Sequence, residues 1–242
     1  MVSNDVAAIS PGEVCDALLL TPKARVIAPL RIVRRGADDF LLLTEPALGE
    51  RVVETLLRAR FAAKVEIELE PHKSYVLLGP AAVPPEGALA APTTDYGVAG
   101  FEVIDAPEPS DAERITDDAL EVLRVQAGTP LYGREIDDRV LPAEAGLVER
   151  AVSLTKGCYP GQEPIARLHY RGHANRGLRV LALDADDLPE YDLEVRFEDK
   201  PVGRITSAAR ADGTIVALAY VRTEVPLDAE LDVGSLKARP LH

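Results

Sequence analysis

The chain has no tryptophan, one methionine, four phenylalanines and only two cysteines, Cys15 and Cys158, among its 242 residues. Two cysteines cannot build a disulfide-rich scaffold, and a chain of this length buries about 70% of its unfolded surface without one. No basic, apolar leader opens the sequence: Met1-Val2-Ser3-Asn4-Asp5 carries an acid and no cation. Apolar runs are short as well. Runs such as Ala17–Leu20 and Phe40–Leu43 are far below the roughly 20 residues that cross a bilayer. Positive charge is scarce, with 27 Lys plus Arg against 40 Asp plus Glu and a net charge of −13. That balance disfavours direct binding to nucleic acid or an anionic membrane, because the long-range field repels polyanions. A cytoplasmic protein with reduced thiols and no membrane association is expected, and a monomer.

What is present is ordinary globular composition, 47% apolar and 28% charged, which excludes a disordered chain. At about 150 residues per domain the length allows one large domain or two modest ones. The first half alternates between strand and helix patterns. Arg25–Val33 is β-rich, with Pro29 suggesting an edge or a bulge, and Phe40–Thr44 follows a turn. A helical repeat opens after Pro46 through Leu48, Val52, Val53, Leu56 and Leu57. Val65–Glu70 alternates strictly and predicts a half-buried strand; Ser74–Leu78 and Phe101–Ile104 predict two more. Residues 80–92 are rich in Ala, Pro and Gly and read as a connector. Ser110 and Thr116 are rival N-caps for a helix that Gly128 ends. From about residue 164 short strands follow one another without an amphipathic helix between them, at 178–183, 193–197, 202–206, 215–221 and 231–236, which predicts a small antiparallel barrel. The expected architecture is α+β, an α/β domain over 1–170 and a barrel domain over 171–242.

The chemistry concentrates in Lys156-Gly157-Cys158-Tyr159-Pro160-Gly161-Gln162-Glu163. Two glycines and a proline force a turn, and backbone N–H groups there can approach a ligand. A cysteine beside a lysine on such a loop is the kind whose thiolate is favoured. Gln162 and Glu163 add an amide and a carboxylate able to read the edge of a flat heterocycle. A small buried cysteine at a tight interdomain turn fits the same residues. The surrounding charge argues for a ligand. Residues 156–179 hold five cations (Lys156, Arg167, Arg171, Arg176, Arg179) and one acid, Glu163, whereas the other 218 residues hold 22 cations and 39 acids. Such an island suits a small polyanion, since arginine pairs with carboxylates and phosphates, although arginines alternating along a solvated barrel strand would look similar. His169 and His173 do not make a metal site, because Tyr-Arg-Gly between them breaks the helix that would align their rings and a second thiolate is missing. Cys15 sits in an apolar context and reads as structural.

The motif KGCYPGQE at Lys156–Glu163 resembles the signature of the folate-binding YgfZ proteins, relatives of the glycine-cleavage T-protein (aminomethyltransferase) family. The likeness extends along nearly the whole chain. LRVQAGTPLYG at Leu123–Gly133 and LPAEAGL at Leu141–Leu147 resemble segments common to both branches. DYGVAGFE at Asp95–Glu102 is similar to a weakened T-protein GYTGEDGFE, and Val202–Ser207 with Ile215–Val221 resembles the C-terminal barrel. The resemblance implies a T-protein-like folate-binding α/β domain followed by a β-barrel, with tetrahydrofolate or a derivative in a central cavity. It implies a role in assembling or repairing iron–sulfur enzymes, with iron–sulfur client or assembly proteins as partners and an indirect effect on tRNA modification. On that reading Cys158 is the reactive thiol and Lys156 holds its thiolate or an anion. Tyr159, Gly161, Gln162, Glu163, Arg167 and Arg171 surround the folate, and Glu102 and Arg124 are further contacts. Two features depart from the pattern. Where T-proteins carry paired aspartates in a GGIxDD stretch, this chain has Ala28 and Pro29, neither of which can move a proton. Ser3–Val6 also resembles a segment that follows a longer N-terminal stretch in the family, so part of the cavity wall is expected to be absent. A folate-dependent aminomethyl or one-carbon transferase is the alternative function.

Overall fold

The computed structural model describes residues 1–61 and 63–241. Strands β1 (Val14–Leu20), β2 (Val26–Arg34) and β3 (Phe40–Leu43) form an antiparallel sheet in that order. Its β1–β2 pair is covered on both faces, which is why its apolar residues run together rather than alternate with polar ones. Ala17, Leu19, Ala28, Leu30 and Ile32 pack against Leu48 and Val52 of the next helical segment. Leu18, Leu20 and Val26 pack the other way, against Ala145, Leu147, Ala151, Tyr159 and Ile165. The KGCY loop is therefore seated on one face of this sheet.

Pro29 lies in the central strand, not at an edge, yet leaves no ladder bond unmade. It stands opposite Leu18, whose own backbone N–H and C=O are engaged by Ser3. Pro29 consequently faces away from β1 and toward the side where β3, whose pairing stops at Arg31–Leu43, has ended. Its carbonyl accepts the Thr44 hydroxyl at 2.8 Å. The bulge falls nearby, between Leu19 and Leu20.

Helix α1 spans Gly49–Ala59, after a 3-10 turn at Pro46–Leu48. The strand expected at Val65–Glu70 does not form: no ladder engages it, and Val65 and Leu69 are exposed. Alternation becomes a strand only where a neighbour offers hydrogen bonds, and β4 (Ser74–Leu78) pairs instead with β6 (Gly100–Ile104). The end of the expected connector becomes β5 (Leu89–Thr93), completing the sheet β4-β6-β5. As an edge strand it tolerates Pro92. Thr116, not Ser110, caps α2 (Asp117–Gln126): its side chain accepts the Ala119 N–H at 3.2 Å.

After α3 (Val148–Ala151) comes α4 (Gln162–Arg171), a helix not expected from the sequence; it ends before the first barrel strand, and among the described residues no helix interrupts the strands that follow. Helix α4 buries Ile165 and stops before Gly172. The barrel is closed, with strand order β10-β7-β12-β11-β8-β9. Its strands are β7 (Arg176–Leu183), β8 (Glu194–Phe197), β9 (Lys200–Ala211), β10 (Thr214–Arg222), β11 (Leu231–Val233) and β12 (Leu236–Leu241). Residues 231–236, read from sequence as one strand, are a hairpin that turns at Gly234, φ +62°. Gly203 is required where β9 presses on β10: a Cβ there would stand 2.1 Å from the Tyr220 carbonyl oxygen. Helix α2 packs outside the barrel through Val125 against Ala209, Val216 and Leu218. Among the described residues no helix is long and apolar enough to cross a membrane.

Candidate functional site

The chain leaves α3 and runs without regular structure from Val152 to Tyr159, then turns at Pro160-Gly161 into α4. Gly161 has φ +84°, and a Cβ there would lie 2.8 Å from both the Thr21 carbonyl oxygen and the Ala24 Cα. The start of α4 is thus pressed onto the β1–β2 turn, and the close approach that glycine permits is to that turn. Tyr159 is 6% exposed and packs among Leu18, Leu20 and Val26. Its hydroxyl is buried without a hydrogen-bond partner among the described residues, and burial pushes its pKa up. Tyr159 and Gly161 anchor the part of the loop that follows Cys158, and the thiol itself is left exposed.

These residues surround a concavity of about 460 Å³ lined by Pro22, Cys158, Tyr159, Gly161, Gln162, Glu163, Pro164 and Arg167. The volume lies within the usual range for small-molecule sites. Six of the sequence-derived candidates, Cys158, Tyr159, Gly161, Gln162, Glu163 and Arg167, meet there. Glu163 also stands in the first turn of α4, where a carboxylate is favoured by the helix dipole.

The remaining candidates are placed elsewhere. Lys156 does not serve Cys158: its ammonium donates to the carbonyls of Val2 at 2.9 Å and Asn4 at 2.8 Å. It straps the N-terminal segment to the loop, stands 5.7 Å over the Tyr159 ring, and faces Cys15. Partial burial lowers its pKa. Nearness in sequence to Cys158 misled here, because the N-terminal segment, remote in sequence, packs within reach of the Lys156 ammonium and takes it. Arg171 lies at the far end of α4, outside the concavity's lining. Arg176 is bound to Glu144 at 3.0 and 3.1 Å and covers the Tyr220 ring. Arg179 donates to the carbonyls of Pro226 and Val225. The basic island therefore separates into tied side chains and two arginines, Arg167 and Arg171, without partners among the described residues.

Arg124 and Glu102 do not line the concavity either. Arg124 is buried between α2 and the barrel, donating to Glu121, Glu135, the Thr129 carbonyl and Ser207. Burial opposes its charge, but the two glutamates overcome that and hold its pKa above the usual value. A fully satisfied arginine of this kind is a structural tie. Glu102 belongs to an ion cluster that the sequence did not reveal. Arg31 contacts Asp16 at 3.1 Å, Asp95 at 2.8 Å and Glu102 at 3.2 Å, and Arg150 reaches Asp16 and Asp95 at 2.6 and 2.7 Å. Burial raises the Asp95 pKa, yet Arg150 and Arg31 outweigh it and keep the group below its usual range. No local signal announced this cluster, since its members come from well-separated segments. Pro22 was missed for the same reason.

The two thiols differ. Cys15 is half-buried, and burial followed by the neighbouring Asp16 pushes its pKa up. Cys158 is open to solvent. Among the described residues no group of three or more His, Cys, Asp and Glu is arranged to hold a metal ion.

No family model matches the chain. It is 29% identical to the tRNA-modifying protein YgfZ of Edwardsiella ictaluri, over 90% of this chain and 75% of that protein. To the tRNA-modifying protein YgfZ of Shigella dysenteriae it is 25% identical, over 99% of this chain and 85% of the relative. In three dimensions it matches the glycine cleavage system aminomethyltransferase T from Bartonella henselae with a TM-score of 0.83 and 17% identity, covering 100% of this chain and 78% of that one. By sequence over nearly its whole length the chain is related to the YgfZ proteins, and its fold is that of the glycine-cleavage aminomethyltransferase.

Proposed function

We propose that the chain binds tetrahydrofolate at the Cys158 concavity and assists the assembly or repair of iron–sulfur proteins, affecting tRNA modification through such a client. The observation that carries this reading is the convergence of an exposed thiol, an amide, a carboxylate and an unpaired guanidinium on one concavity of about 460 Å³. The donor set fits a folate. Gln162 and Glu163 together supply a donor and acceptors for the edge of a pterin, and Arg167 suits the carboxylates of a glutamyl tail. When bound, the folate would supply a one-carbon carrier. Cys158 is intrinsically the strongest nucleophile of this set.

A transferase reading draws on the shared fold, but the acids it needs are missing from β2. Ala28 is fully buried and Pro29 offers no proton. Asp95 and Glu102 are engaged by arginines. A single positioned acid–base group is commonly worth 10²–10⁴-fold in rate, so only trace aminomethyl transfer is expected. The deciding experiment runs two assays on the same preparation. One is reactivation of an oxidatively damaged iron–sulfur enzyme, by the chain with tetrahydrofolate and by its Cys158→Ser variant. The other is aminomethyl transfer from a lipoyl carrier protein. Reactivation that requires Cys158 supports the proposal; efficient aminomethyl transfer without reactivation replaces it with the transferase.

A further inference from the structure

The exposed side of α4 runs past the concavity, which takes in Arg167 but not Tyr170 or Arg171. Arg167 and Arg171 are one turn apart, and neither has a hydrogen-bond or ion-pair partner among the described residues. In a chain with so large an excess of acids, most surface arginines are tied; Arg35, Arg58 and Arg204 each hold a carboxylate. No acid occurs anywhere from Pro164 to Leu183. Between the two arginines, Tyr170 is 68% exposed, its ring meeting His169 edge-on at 4.8 Å. The helix already buries Ile165 on its inner side, so folding does not require a large aromatic facing water here. Tyrosine and arginine are the side chains that dominate protein interfaces, because they combine large contact area with directed hydrogen bonds.

We propose that this face, Arg167, Tyr170 and Arg171 with His169, is a docking surface for an acidic segment of a partner protein, which it holds beside Cys158. The proposal rests on the reading of Cys158 as the working group and adds the chemistry of what is brought to it. Charge complementarity selects the occupant: two guanidiniums without partners among the described residues, on a helix whose one acid, Glu163, pairs with neither, call for carboxylates, and the exposed ring calls for an apolar side chain among them. A single-stranded nucleic acid would also stack on Tyr170, but its phosphate backbone extends over a surface whose net charge is −13. A short acidic segment meets only the local field, because beyond about 10 Å mobile ions screen the rest.

Thiol–disulfide exchange at Cys158 tests this in the full chain carrying Cys15→Ser. Two probes are compared, the peptides Cys-Leu-Glu-Asp-Glu and Cys-Leu-Lys-Lys-Lys, each as its mixed disulfide with 5-thio-2-nitrobenzoate. The Cys158 thiolate attacks the peptide sulfur, a new S–S bond joins peptide and protein, and the coloured thionitrobenzoate leaves with the electron pair. At about 0.1 M salt, where the net charge is already screened, the acidic probe should react about tenfold faster, a preference that about 1 M salt should erase. Arg171→Glu should reverse the preference, and Tyr170→Ala should slow the acidic probe several-fold. Faster reaction of the lysyl probe, or an unchanged ratio in Arg171→Glu, overturns the proposal. So does protection of Cys158 by oligouridylate at a lower concentration than by the thiol-free acidic peptide, which would make the face a nucleic-acid surface. Iodoacetamide separates docking from reactivity. If this neutral reagent modifies Cys158 readily while the charge preference is absent, docking alone fails; if Cys158 resists it too, the reading of the site fails with it.

Discussion

Replacing Gly161 by alanine probes the contact that seats the whole loop. The residue has φ +84°, a conformation that costs a side-chain-bearing residue about 1–2 kcal/mol. The added Cβ would also meet backbone, not a movable side-chain tip: Thr21 O and Ala24 Cα at 2.8 Å, and Ala24 N at 3.1 Å. Ala24 is itself held at φ +58° and is buried, so the turn has little room to retreat. Forcing an extra carbon into such a contact costs about 1–3 kcal/mol. The two effects together give about 2–5 kcal/mol. At about 2–4 °C per kcal/mol for a chain of this size, the melting temperature should fall by roughly 4–20 °C. Gly157 is the matched control within the same motif: a Cβ added there would have nothing within 4 Å, and its φ is not in the left-handed region. Gly157→Ala should therefore stay within about 0.5 kcal/mol of the parent. Scanning calorimetry of both variants decides. Equal shifts would refute the claim that α4 is pressed onto the β1–β2 turn.

Cys158 should alkylate with iodoacetamide much faster than Cys15 near neutral pH, because it is exposed while burial suppresses the Cys15 thiolate; peptide mapping of partially labelled protein checks this, and faster labelling of Cys15 contradicts it. Triglutamyl tetrahydrofolate should bind several-fold more tightly than the monoglutamate in low salt, at about 1 kcal/mol for a partly exposed charge-assisted contact, and Arg167→Glu should remove the difference in a binding titration. His72 contributes a pH dependence. Its ring bridges Asp105 at 2.5 Å and Glu70 at 3.0 Å, and the bond to Asp105, followed by that to Glu70, raises its pKa in the fold. The stabilisation is therefore complete below the ordinary histidine pKa of about 6.5 and is lost as pH rises through the higher folded value. Melting curves between about pH 6 and pH 8 should show a small decline that His72→Asn abolishes; a rise over that range in the parent would contradict the sign.

Where the sequence was legible, one element carried its own signal. Helix α2 is announced by Thr116, its first-turn acids and Gly128, and each works as the pattern requires. Four of the barrel strands are legible because short turns bound them, although β10 is buried almost throughout instead of alternating. Val65–Glu70 shows the limit: its alternation is as clear as any, but a strand needs a partner, and pairing is decided elsewhere in the chain. Helix α4 was hidden because its buried contribution is essentially Ile165, too little for a periodic apolar stripe. At the site, the residues contiguous in KGCYPGQE could be named in advance. Whether a cation there faces the thiol could not, since Lys156 takes its partners from Val2 and Asn4 at the other end of the chain. The Arg124 and Glu102 roles turned on partners equally remote, Ser207 and Arg31.

The most direct test of folate binding at the Cys158 concavity is a calorimetric titration of tetrahydrofolate into the parent chain and into a Gln162→Leu/Glu163→Gln double variant. Saturable binding at one site per chain is expected for the parent. The variant should lose tenfold or more in affinity, since a charge-assisted hydrogen bond contributes about 1.5–3 kcal/mol. Absence of saturable binding to the parent, or equal affinity in the variant, would contradict the assignment of the site.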